Sequence, residues 1–269
     1  MKTEISTPLG ELTIITDQHH WMFIVAILID LSRELSVPLP KTLYYGPLEY
    51  EELLSPADFK DLHMTGRRTS DVVEYWYRDQ MILVYTTQTK LSETDLKGFL
   101  AHQLLHHDDN INHRNITSYA LYCASTCDLD FPNVCINYVK VCTDTLRNVS
   151  VSTRLPIKYR RPNLTRNVKR AERAIQDAKI IKNETQRKLA LLYCVILSTG
   201  LALFNETEER AVALQSLSLT LYPELEAIQK FLNEQFNTVL NELLDQKFEE
   251  SFLSQINQLL CDLMHKILV

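Results

Sequence analysis

Apolar and polar positions alternate along the chain in two rhythms. Residues 18–35 contain WMFIVAILIDL, an apolar run that turns polar at its end and is followed by Pro38 and Pro40. That pattern predicts a helix ending before the prolines. Residues 43–50 read as a short strand or loop, and Ser55-Pro56-Ala57-Asp58 starts a short acidic helix with serine as cap and proline in the first turn. Residues 72–87 read VVEYWYRDQMILVYTT, two runs rich in Val, Ile, Tyr and Trp flanking Arg78, Asp79 and Gln80. They predict a β-hairpin or two edge strands. A helix follows: Ser92 is its expected N-cap, with Asp95 three residues on as a variant capping box. Leu96, Phe99, Leu100, Leu104 and Leu105 form its apolar stripe.

Further on the pattern is helical. Residues 116–126 are expected to form a helix with Tyr119, Tyr122 and Cys123 inward, broken around 127–132, with a second expected to about 146. Residues 147–165, with two prolines, read as loop. Three helices are expected after them, over about 164–182, 185–204 and 223–268. The fold expected is α+β but predominantly α-helical, with a small β-hairpin or sheet and a helical C-terminal tail. The expected division is 1–150 and 151–269.

Composition supports that expectation: only five glycines occur in 269 residues, which favours long helices over tight turns. The opening MKTEISTPLGELT has no apolar h-region of a secretion signal. The run WMFIVAILIDL is shorter than the roughly 20 residues a membrane-spanning helix needs. None of the six cysteines forms a C-x-x-C pair, and reduced, buried thiols are expected. The expected compartment is therefore the cytoplasm, and the five N-x-[ST] sequons, Asn163 among them, read as chance. Residues 154–188 hold twelve Lys/Arg against three Asp/Glu, while 189–269 hold four against eleven. Two solvated or mutually docked helical faces explain this; a protein partner for the basic segment is the sharper reading. No motif for nucleic-acid recognition or membrane insertion accompanies it.

The chemistry concentrates in FLAHQLLHHDDNINHR, residues 99–114. His102 and His106 are one helical turn apart and can aim their imidazoles at one ion. Catalytic zinc sites use three protein ligands and leave a fourth position for water. In H-E-x-x-H helices the glutamate is the general base on that water; here Gln103 stands in its place. Asp128 follows the next helix, where a helical hairpin brings it back toward the histidines, although a helix-capping role competes. Asp130 and His113 are the alternative third ligands, with Glu172 a distant one. A glycine at 109 and a histidine at 112 would be needed for the longer H-x-x-x-H-x-x-G-x-x-H arrangement, and neither is present. Tyr119 or Tyr122 could donate to a substrate oxyanion, though core packing is the commoner role of such tyrosines. His107, Asp108 and Asp109 read as solvated helix-end residues, the aspartates seeking partners such as Arg114 or the histidines because they oppose the helix dipole.

Leu91-Ser92-Glu93-Thr94-Asp95-Leu96-Lys97-Gly98-Phe99-Leu100-Ala101-His102, then His113-Arg114, Ala124, Asp128 and Asn133, resemble the predicted metallopeptidase domain found beside von Willebrand A-like domains in bacteria. The likeness covers roughly residues 64–140, and extends in general terms to other zincins with short spacers. It implies a zincin-like core, Zn²⁺ as cofactor, a peptide or protein substrate, and Asp128 as third ligand. Two departures stand out: Gln103 for the glutamate, and an Asp128-to-Asn133 spacing one residue too long. An amide cannot take a proton near neutral pH, and loss of a general base costs about 10²–10⁴-fold in rate. Two explanations of Gln103 stay open: an exchange of the kind introduced to trap an inactive peptidase, or the natural residue of a pseudoenzyme that serves as a protein-binding module. A metal-free helical interaction protein is the third reading.

Overall fold

The computed structural model describes residues 2–47, 73–76, 79–86, 91–112, 151, 154–180, 182, 226 and 230. The chain divides into two compact units, residues 1–113 with 155–162, and residues 114–154 with 163–269.

The first unit is organised by a sheet. Strands β1 (Lys2–Thr7) and β2 (Gly10–Thr16) form an antiparallel hairpin. Gly10, at φ +127°, supplies a backbone conformation at its turn that L side chains rarely adopt. Helix α1 (Trp21–Leu35) then crosses to β3 (Thr42–Gly46), which pairs parallel with β2. Strand β4 (Val73–Trp76) turns through Asp79 and Gln80 into β5 (Met81–Tyr85), and β5 inserts parallel to β3. The sheet order is β1-β2-β3-β5-β4, with β4 at one end.

This overturns the expectation of a predominantly helical fold with only a small hairpin: the described part of the first unit is built on a five-stranded mixed sheet. The glycine argument failed for a physical reason. One hairpin turns through Gln80 at φ 48°, and the β2-to-β3 crossover is a helix, so neither connection consumes a glycine. The expected hairpin at 72–87 is present, but as the end of that sheet.

In-register neighbours share a face of the sheet. Leu12, Ile14, Leu43, Ile82, Val73 and Tyr75 thus line one face. Tyr44, Met81, Leu83 and Tyr85 form a buried cluster on the other, flanked by Ile15 and Trp76. Helix α1 buries Ile24, Val25, Ile27, Leu28 and Leu31, while Met22 and Phe23 are exposed, so the apolar run is amphipathic in place. It ends where expected, at Ser36 in the left-handed conformation, with Ser32 Oγ donating to the Val37 carbonyl.

Helix α2 (Glu93–Ile111) packs on α1 and along β4. Ser92 caps it as its sequence predicts: its Oγ accepts from the Asp95 N–H at 3.1 Å and donates to Asp95 Oδ2 at 2.7 Å. Helix α3 (Ile157–Ile180) starts well inside the stretch expected to be loop. The prolines misled. The carbonyl of Pro156 accepts from the Tyr159 N–H at 2.9 Å at the helix start, and Pro162 lies within the helix, where it costs one backbone hydrogen bond. The first turn of α3 is fastened to the end of α1: Tyr159 Oη donates to Glu34 Oε2 at 2.7 Å, and Lys158 Nζ pairs with Glu34 Oε1 at 2.7 Å. The Lys158 ammonium and then the Tyr159 hydroxyl hold the Glu34 carboxyl below its usual range. Asn163, in one of the sequons, is buried.

Gly98 of α2 lets that turn approach. A Cβ there would meet Pro162 Cγ at 2.8 Å and the Tyr159 carbonyl oxygen at 3.0 Å. Gly98→Ala is therefore expected to cost about 1–3 kcal/mol through overpacking, despite the better helix propensity of alanine. Chemical denaturation of the variant beside the parent checks this; equal or greater stability would show that the contact yields.

Expectations for residues 48–72 and 113–150, and for the helices over 185–204 and 223–268, lie outside the described residues apart from Glu226 and Lys230, both helical. No helix among the described residues is long and apolar enough to cross a membrane.

Candidate metal centre and its polar surroundings

Residues 100–107 of α2 are buried at every position, although four of the eight are polar. A helix enclosed all round is ordinarily apolar. Here two polar stripes replace part of the apolar surface, and each has its own geometry.

The first stripe is His102 and His106, 1% and 3% exposed. Their Nε2 atoms are 3.1 Å apart, and the rings meet edge to face with centroids 4.6 Å apart. Without an ion one Nε2 must carry a hydrogen and the other accept it. The same separation suits a shared cation. Two nitrogens each about 2.0–2.1 Å from a tetrahedral zinc are about 3.3 Å apart. The separation is thus compatible with a shared ion as well as with the hydrogen bond. Among the described residues no group of three His, Cys, Asp or Glu side chains is placed to hold a metal. Asp128, Asp130 and His113, the candidates for the third ligand, lie outside the described residues, as do Tyr119 and Tyr122. Glu172 is described, on α3 in the second unit.

The second stripe is Gln103, His107 and Asn110, and sequence reasoning missed its role. Gln103 is buried and its Nε2 donates to the Val73 carbonyl of β4 at 3.3 Å. His107 is 1% exposed, not solvated. Its Nε2 lies 3.1 Å from the carbonyl of Leu39, in the α1–β3 loop, and its Nδ1 lies 3.0 Å from Tyr75 Oη of β4. A carbonyl can only accept, so Nε2 carries the hydrogen and Nδ1 accepts from the tyrosine. Asn110 Nδ2 donates to the same Tyr75 oxygen at 3.0 Å. The chain of donors runs Asn110 to Tyr75 to His107 to Leu39, each bond fixing the direction of the next. Burial lowers the His107 pKa, opposed by the Leu39 bond. Burial likewise raises the Tyr75 phenol to about 12, opposed by Asn110.

Asp109 is also buried, whereas Asp108 is partly exposed and accepts from Asn112 Nδ2 at 2.8 Å at the end of the helix. An amide four residues on is thus one partner of this aspartate, and Arg114, expected beside the histidines as a partner, lies outside the described residues.

Tyr75 gives a signed pH expectation. Its folded pKa of about 12 exceeds the usual phenol value of 10.0, so near pH 11 the unfolded chain has released a proton that the folded chain retains. The contribution is complete below pH 10 and is lost as pH rises toward 12. Denaturation midpoints of the parent should fall over that window more steeply than those of Tyr75→Phe; parallel curves would refute the assignment.

No family model, curated protein or solved structure matches the chain.

Proposed function

We propose that the chain is a zinc-binding protein of the metallopeptidase type whose hydrolytic step is silenced at Gln103. The observation that carries the reading is the 3.1 Å approach of the two buried Nε2 atoms on successive turns of one capped helix. His102 and His106 hold the ion, with Asp128 as the proposed third ligand and Asp130 or His113 as alternatives. Bound there, zinc supplies Lewis acidity toward a peptide carbonyl and a water. The protein's own share is limited by Gln103: an amide donates and accepts hydrogen bonds but does not take the proton that hydrolysis must remove.

A peptide as ligand fits the position of β4. Among the described residues no strand pairs with its outer edge, and an extended peptide is recognised by adding to such an edge. The basic segment 154–188 is the proposed docking region for an acidic protein partner; Arg161 and Lys169 are exposed on α3.

A second reading, a pseudoenzyme retained as a binding module, is favoured by one observation: the Gln103 amide is engaged with the Val73 carbonyl. Both readings require the metal. Elemental analysis of the purified chain, and of the chain stripped by chelator and reloaded, is expected to give one zinc per chain. A chain that neither carries zinc nor takes it up would remove both.

A further inference from the structure

Gln103, His107 and Asn110 recur at i, i+4 and i+7 and so lie along one face of α2. All three reach the same short strand. Gln103 bonds to the backbone of Val73, and His107 and Asn110 both bond to the hydroxyl of Tyr75. Val73 and Tyr75 are two residues apart and share one face of β4. His102 and His106 occupy the adjoining stripe of the same helix, one residue before Gln103 and His107.

We infer that Gln103, His107 and Asn110 form a strand clamp: positioning residues that fix β4 against the helix that carries the imidazole pair, with a hydrogen-bond donor required at position 103. The requirement follows from donor and acceptor chemistry. Val73 presents a carbonyl, which needs a donor, and Gln103 Nε2 supplies one. An ionised glutamate has acceptors only. Facing that carbonyl it would set two acceptors against each other in a buried site, so it would either turn away and give up the bond to Val73 or take up a proton and cease to be a base. Gln103 is thus fitted to the fold of this chain, not a blank left by a missing base. The clamp also explains why a strand of four residues at the end of the sheet keeps its register: its side of the ladder toward β5 is supplemented by three side-chain bonds from the helix. The inference rests on the proposed function only in calling the imidazole pair a metal site; the clamp itself does not depend on it.

The test uses the full chain with Gln103→Glu and Gln103→Met, the second of similar length but with no donor. Gly98→Ala serves as a destabilised control away from β4. Hydrogen exchange is read at the β4–β5 ladder relative to the β1–β2 ladder, with zinc content measured on the same samples. Gln103→Met is expected to speed β4–β5 exchange by about 5–10-fold relative to β1–β2, the equivalent of one lost hydrogen bond, and Gln103→Glu to do the same where its carboxyl stays ionised. Gly98→Ala should leave the ratio unchanged. Should Gln103→Glu not fold, Gln103→Met carries the measurement alone. Parent-like exchange in Gln103→Met overturns the clamp. So does a Gln103→Glu chain with parent-like exchange that hydrolyses peptides, because Gln103 would then simply stand where a base belongs. Altered exchange in chains that hold no zinc leaves the clamp standing and removes the metallopeptidase reading; unaltered exchange in zinc-loaded chains does the reverse.

Discussion

Replacing His107 by alanine is expected to lower the stability of the protein by about 3–5 kcal/mol. Two losses combine. The ring is 1% exposed and in edge contact with Tyr75, centroids 5.5 Å apart, so its removal leaves a cavity beneath β4. The Leu39 carbonyl loses its donor and the Tyr75 hydroxyl loses its acceptor, at a site largely sealed from water. Chemical denaturation measures the loss, and a cycle with Tyr75→Phe separates the two parts. Tyr75→Phe removes the hydroxyl while keeping the ring, so the double variant should lose less than the sum of the singles, by about 0.5–3 kcal/mol. A drop below about 1 kcal/mol for His107→Ala would mean that the three segments are held by packing alone.

That residue also marks the limit of what the sequence discloses. His107 sits between His106 and two aspartates, and a helix end rich in charge reads as solvated. Its burial depends on Leu39 and Tyr75, which are 68 and 32 residues away and announce nothing in their own surroundings. Gln103 is similar. Read along the chain it is the wrong letter in a zinc motif; its partner, a backbone carbonyl, has no letter at all. The Ser92 cap, by contrast, was legible because cap and partner lie three residues apart. The turn at Gln80 and the end of α1 at Ser36 were legible for the same reason: local chemistry decides them. Strand β1 was missed because its alternation uses threonine and a single isoleucine, and its odd-numbered positions are only half-buried. Strand β5 was legible as a strand but not as a central one, since a fully buried MILVY carries no alternation from which to read its neighbours. The long-range pairing of β3 with both β2 and β5 is what turned an expected hairpin into a sheet, and no local signal encodes it.

The imidazole pair carries the other large expectation. Zinc at about 100 times its dissociation constant should stabilise the parent by about 2.7 kcal/mol, since the unfolded chain offers no assembled site. For a unit of residues 1–113 with 155–162 that corresponds to a rise in Tm of about 10 °C. His102→Ala and His106→Ala should each weaken zinc binding more than about 100-fold, beyond the loss that outer-shell changes cause, and abolish the rise. Metal-free melting supplies the contrast. In the ion's absence the two rings hydrogen-bond to each other, so each alanine variant also takes away the other's 3.1 Å partner and should melt below the metal-free parent. The metal reading therefore predicts two separable effects at the same residues, one present without zinc and one only with it. A parent whose Tm ignores both zinc and chelator, with variants that still melt low, would reduce the pair to a buried hydrogen bond. Tyr75→Phe sharpens the contrast from the other side: it should melt low as well, yet keep the zinc-induced rise, because the hydroxyl it removes bonds to His107 and Asn110, on the other polar stripe of the helix.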